Sequence, residues 1–184
     1  LPDFDGLDDF EGAVFHSARW DHDVPLDGAR VGIVGTGSTA VQMVSALVDQ
    51  VDHLYLFQRT PQWIMPQDNP PYSDDEKSEF RANPEQLAEL RANLTRVFDT
   101  FANAIVDADS PEMQMIAGMC RENLENNVRD PELREALRPD YQAACKRLII
   151  SPDFYDAIQR PNAELVTEVI ERLEATGVRT RDGR

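Results

Sequence analysis

The stretch Gly35-Thr-Gly37-Ser-Thr-Ala40 sets two glycines and a small residue in the spacing G-x-G-x-x-[GA]. In that spacing Gly35 permits a tight turn, Gly37 lets a pyrophosphate approach the backbone, and Ala40 allows a helix to pack closely on a strand. Ser38 and Thr39 add hydroxyl donors to the N–H groups that a helix leaves unpaired at its start, where its dipole favours anions. Arg59 and Thr60 stand where a site for NAD carries an acidic residue toward the ribose 2′-hydroxyl. A guanidinium there suits a 2′-phosphate through bidentate charge-assisted hydrogen bonds, and a carboxylate would repel it. The expected nucleotide is therefore NADP(H).

These residues need a strand, a helix and a second strand to hold them. ARVGIVG (29–35) reads as a buried strand, a short β-rich apolar run ending in glycine. STAVQMVSALVDQV (38–51) follows as a helix whose Ala40, Val41, Val44, Leu47, Val48 and Val51 fall at three- and four-residue steps. HLYLFQR (53–59) is a second strand, and the order predicts a βαβ unit with parallel strands. From about 74 to 140 the chain turns charged and Leu/Ala/Glu-rich, with Pro84, Pro111 and Pro131 each placed to open a helix. CKRLIIS (145–151) returns to strand character. SPDFYDAIQR predicts a short helix, AELVTEVIERLE one or two strands, and GVRTRDG a strand entering a turn. The fold class expected is α/β, a Rossmann-like parallel sheet with a helical insertion over about 74–140.

The net charge of −16 excludes nucleic acid and anionic membrane as partners, since like charge would repel them. Any anionic ligand must then meet a local basic cluster, and Lys146-Arg147 is a second such point beside Arg59. Cys120 and Cys145 fit no metal-ligand spacing, and nothing near the start has the form of a signal peptide, so reduced thiols in a cytoplasm are expected. His16, His22 and His53 form no metal set, and no nucleophile elbow or Gly-Lys-Ser/Thr phosphate loop is present. Trp63, Met65 and Tyr72 follow the second strand and either cover the nucleotide edge or pack in the core.

The opening stretch FEGAVFHSARWD (10–21) sets His16 and Trp20 four apart, which on a helix would share one face. Taken with GTGSTA, FQRT and CKR, it resembles the fingerprint F-x-G-x-x-x-H-x-x-x-W-[PD] of the Baeyer–Villiger monooxygenases, class B flavoprotein monooxygenases. The match falls at Phe10, Gly12, His16, Trp20 and Asp21, and the resemblance covers essentially the whole chain. It implies an enzyme that uses NADPH and FAD to insert an oxygen atom from O2 beside a ketone carbonyl, giving an ester or lactone. By motif, Gly35, Gly37, Ser38 and Thr39 would cradle the pyrophosphate, and Arg59 and Thr60 would hold the 2′-phosphate with Lys146 assisting. Arg147 would stabilise the negative charge that develops during oxygenation, and His16 would act as a switch that organises NADP.

The resemblance further implies that residues 1–28 form a linker and residues 29–184 the NADP(H)-binding domain. The FAD-binding domain of the same parent protein is expected outside these residues, so the fragment alone is expected to be inactive. Two alternatives stay open: a related flavin N- or S-oxygenating monooxygenase, and a non-catalytic nucleotide-binding or interaction module.

Overall fold

A computed structural model describes residues 2–67 and 69–184. In chain order the elements are β1 (Arg30–Val34), α1 (Ser38–Leu47), β2 (His53–Phe57), β3 (Ile64–Met65), α2 (Asp74–Ala82), α3 (Pro84–Val106) and α4 (Pro111–Asn127). There follow α5 (Pro131–Ala136), β4 (Ile149–Ile150), α6 (Phe154–Ile158), β5 (Ala163–Val166), β6 (Ile170–Glu174) and β7 (Gly177–Thr180). They divide into two units: Leu1–Gln62 with Leu124–Pro139 and Asp153–Arg184, and Trp63–Asn123 with Asp140–Pro152.

The first unit holds the expected βαβ arrangement. β1 pairs with β2 in parallel, from Arg30 opposite His53 to Val34 opposite Phe57. β5 joins the far side of β2, also parallel, giving the order β1-β2-β5. Side chains alternate along a strand, so Ile33, Leu54 and Leu56 share one buried face. α1 buries Ala40, Val41, Val44 and Leu47, the stripe that its three- and four-residue spacing predicts. Carbonyls left over at the end of a helix need donors, and Asn162 supplies them here. Its Nδ2 donates to the Val48 and Val51 carbonyls at 2.7 and 3.1 Å.

The chain's opening residues lie along the antiparallel β6–β7 hairpin. Leu173 N–H donates to the Asp5 carbonyl at 2.7 Å, and Glu11 N–H to the Ala175 carbonyl at 2.9 Å. Gly6 sits between them at φ 75, and a Cβ there would overlap the Leu173 carbonyl. The residues after it are not α-helical. Ser17–Arg19 make one 3-10 turn, with His16 and Trp20 as its two caps. A three-residue turn does not bring its two flanks to one face, so the helix on which His16 and Trp20 would share a face is not formed. Phe15 instead meets the Trp20 ring edge-on, at 5.2 Å between centroids.

In the second unit Pro84 opens α3 and Pro111 opens α4, the positions where a missing N–H costs nothing. Ser73 and Glu76 close a reciprocal capping box on α2. The core joins Met65, Ala104, Met113, Ile116, Cys120 and Ala143, with Trp63, Phe101 and Leu148 against it. The strand expected over 145–151 shrinks to β4, which pairs in parallel with β3 at Ile64–Ile149 and Met65–Ile150. Ala144 at φ 65 turns the chain first, which takes Cys145 to Arg147 out of any ladder.

Candidate functional site

The glycine loop joins β1 to α1 at the C-terminal ends of the parallel strands, where open α/β sheets bind ligands. Gly35 adopts φ 111, a backbone conformation that side chains rarely take, and its N–H donates to the Phe57 carbonyl at 3.0 Å. Gly37 is the N-cap of α1 in extended conformation, with no side chain capping the helix. The first-turn N–H groups of a ten-residue helix thus face outward with their partial positive charge. A Cβ added at Gly35 or at Gly37 would meet no protein atom within 4 Å. The loop surface is open at both glycines.

Arg59 stands two residues past β2 and is exposed, and among the described residues no hydrogen bond or ion pair holds its guanidinium. The preceding Gln58 is 6% exposed and fixed at both ends. Its N–H donates to the Val166 carbonyl at 2.8 Å and its Nε2 to the Ala136 carbonyl at 2.7 Å. The following Thr60 is half-buried, and its carbonyl accepts from the Thr36 hydroxyl at 2.7 Å. A free cation is therefore carried on an anchored backbone beside the glycine loop. Gly35, Gly37, Ser38, Thr39, Arg59 and Thr60 all lie in this unit.

His16 lies in the same unit, on the opening segment, and lines a recess with Val14, Phe15, Ala18 and Arg19. Its Nδ1 accepts from the Ala18 N–H at 3.0 Å, which assigns the ring proton of the neutral imidazole to Nε2. Phe10 folds over Gly12 closely enough that a Cβ on Gly12 would overlap the ring. That contact gives the Phe-x-Gly pair a steric reason. A second cleft is lined by Ser45, Asp49, Arg129, Asp153 and Arg160 near the C-terminal end of α1. Arg160 pairs there with Asp49 at 2.5 Å and Ser45 with Asp153 at 2.8 Å, and the helix dipole at that end disfavours anions.

Lys146 and Arg147 belong to the second unit and are both exposed. Lys146 Nζ lies 4.3 Å from the centroid of the Tyr141 ring. The Trp63 indole N–H donates to the Tyr141 carbonyl at 2.6 Å, and burial raises the Tyr141 phenol above its ordinary pKa. Of the aromatic and sulfur side chains after β2, Trp63 and Met65 serve the core, whereas Tyr72 is exposed with its ring edge-on to Phe80. Sequence reasoning missed Thr36, Tyr141 and Ala144. Thr36 fills a variable position of the glycine spacing, and the other two stand in no recognised pattern. Among the described residues no three His, Cys, Asp or Glu gather to hold a metal ion, and no helix is long and apolar enough to cross a membrane.

Residues 1–73 match the family described as flavin-binding monooxygenase-like. The whole chain is 47% identical to 37% of an uncharacterized monooxygenase of Mycobacterium tuberculosis, strain H37Rv. It is 37% identical to 35% of a Baeyer–Villiger monooxygenase of Streptomyces coelicolor. It also superposes over its full length on 43% of cyclohexanone monooxygenase with cyclohexanone bound, with a TM-score of 0.83 at 28% identity. A variant of that enzyme from Rhodococcus sp. Phi1 bound to NADP+ gives 0.82 at 28%, over 42% of its chain. The chain thus spans about two-fifths or less of the length of the proteins it resembles.

Proposed function

The chain is of the Baeyer–Villiger flavoprotein monooxygenase type, and on that premise we propose that it supplies the NADP(H)-binding part of an enzyme oxidising a ketone to an ester or lactone. One observation carries the reading: a glycine loop with open space above it is bonded through Thr36 and Thr60 to the segment that presents Arg59, whose guanidinium is unpaired among the described residues.

The residues present fit that nucleotide. Open space above Gly35 and Gly37 admits phosphate oxygens to the backbone, and the uncapped start of α1 offers N–H groups and positive potential. Ser38 and Thr39 add hydroxyl donors at the first two helical positions. Arg59 supplies a planar donor pair for a 2′-phosphate, and no carboxylate stands in its place to receive a bare ribose hydroxyl. NADPH and FAD, when bound, supply the reducing equivalents for a net conversion of ketone, O2, NADPH and a proton into ester, NADP+ and water.

The chain's own part is to bind and orient. His16, with its Nδ1 occupied by the Ala18 N–H, has Nε2–H left to donate to a bound nucleotide. Arg147 is a permanent cation suited to stabilise negative charge on oxygen as it develops. Lys146 is assigned to the 2′-phosphate. Residues 1–28 serve as linker and 29–184 as the nucleotide domain, with FAD held by other parts of the parent protein.

Titration of the chain with NADP+ and NAD+ tests the reading. NADP+ should bind more tightly, and Arg59→Ala should remove at least about tenfold of that preference, the scale of a charge-assisted bidentate contact. Equal affinity for the two, or no binding of either at millimolar concentration, would overturn it.

A further inference from the structure

We infer that Tyr141 is a positioning residue for Lys146, and through it a determinant of the preference for a 2′-phosphorylated nucleotide. The inference rests on the proposed assignment of Lys146 to that phosphate. A lysine at an exposed turn is a compact charge on a long flexible stem, and fixing it on a ligand costs rotamer freedom. Lys146 is not left loose. Its Nζ stands 4.3 Å from the centroid of the Tyr141 ring, within range of the ring's negative face.

The backbone that carries the ring is tied to the core. Trp63, packed on the core of Met65, Ile116 and Cys120, donates its indole N–H to the Tyr141 carbonyl at 2.6 Å. Two residues on, Ala143 is 3% exposed in that core. Ala144 then takes φ 65, and Cys145 N–H closes the turn on the Gln142 carbonyl at 3.2 Å. This reversal is what returns Lys146 to the ring five residues behind it. A cation so restrained has fewer rotamers to lose when an anion arrives, so part of the ordering cost is already met. The phenol stays neutral, because burial raises its pKa, so the attraction is to the ring face and not to a phenolate.

The test is titration of the chain and its variants with NADP+ and NAD+. Tyr141→Leu should weaken NADP+ about two- to fivefold, the scale of an exposed cation–π contact, and leave NAD+ unchanged. Tyr141→Phe, which keeps the ring face, should restore wild-type binding. Pentafluorophenylalanine in place of Tyr141 keeps the shape and reverses the ring's charge distribution. It should behave as leucine does, and it covers the case in which Tyr141→Leu does not fold. With Lys146→Ala already present, Tyr141→Leu should add no further loss. A selective NADP+ defect in Lys146→Ala with none in the ring variants would overturn the positioning role and leave the Lys146 assignment standing. Equal loss for both nucleotides in the ring variants would reduce Tyr141 to a structural residue. An unaltered NADP+ affinity in Lys146→Ala would remove that assignment and the inference together.

Discussion

The Thr36 hydroxyl donates to the Thr60 carbonyl at 2.7 Å, so the middle of the glycine loop is bonded to the residue that follows Arg59. Both residues are half-buried, and no hydroxyl is needed at that loop position for the turn itself. The bond therefore serves registration: it fixes where the guanidinium's backbone sits relative to the glycine loop. Thr36→Val keeps the shape and strands the carbonyl, at a cost of about 1 kcal/mol. Urea unfolding should show that loss. NADP+ affinity should fall more than NAD+ affinity, whereas Thr36→Ser should match wild type in both.

Gly6 is required for two independent reasons. Its φ of 75 disfavours any side chain, and the added Cβ would overlap the Leu173 carbonyl, a backbone atom that cannot rotate away. Gly6→Ala should therefore cost more than the roughly 1 kcal/mol of a left-handed alanine alone. The strain falls where the opening segment meets β6, so that segment should detach before the sheet unfolds. Limited proteolysis is expected to cut within the first 28 residues of the variant under conditions where wild type stays intact, together with a lowered melting temperature.

The βαβ frame was legible because its signals are local: apolar runs of strand length, a helical stripe and a glycine loop in fixed order. The helices of the second unit were equally plain, since proline and Leu/Ala/Glu content act within one turn. What periodicity does not tell is which stripe is buried. In α3, Leu90, Phe101 and Ala104 are sheltered, whereas Leu87, Leu94, Phe98 and Ile105 form an exposed row on the same helix. β3 and β4 were illegible for a related reason: each is two residues long and exists through its pairing with the other. At the site, the glycines and Arg59 could be read from spacing. Thr36–Thr60 and Trp63–Tyr141 could not, because each bond joins residues whose neighbourhood is made by the tertiary fold.

The two cysteines should part company in alkali. Cys120 is fully buried in the second unit's core, and desolvation pushes its thiol from about 9 up to about 11. Cys145 is exposed. At pH 8 a thiol reagent should therefore modify one cysteine per chain, Cys145, and reach Cys120 only on unfolding. The sign of the stability effect follows from a raised folded-state pKa. The contribution is fully present below pH 9, where the thiol is neutral in both states, and is lost as pH rises through 11. Stability measured between pH 9 and 11 should fall more steeply in wild type than in Cys120→Ala.

Gly35 and Gly37 separate what the loop needs to fold from what it needs to bind. Gly35 holds φ 111, so Gly35→Ala strains the backbone and should cost on the order of 1–2 kcal/mol with or without nucleotide. Gly37 holds φ −74, which alanine adopts freely, and its added Cβ would touch no protein atom. A methyl group at 37 can then be felt by little except a ligand lying on the loop. Gly37→Ala should melt within about 4 °C of wild type, since alanine is the poorer N-cap by up to about 1 kcal/mol and that shifts the midpoint of a chain this size no further. On the proposed function it should nevertheless lose at least about tenfold in affinity for NADP+ and NAD+ alike, since that reading brings the pyrophosphate common to both against residue 37. Calorimetric titration beside a thermal melt reads the two effects separately. Wild-type affinity in a stable Gly37→Ala would mean that no pyrophosphate approaches the loop at that residue, and the nucleotide-binding reading would have to be given up.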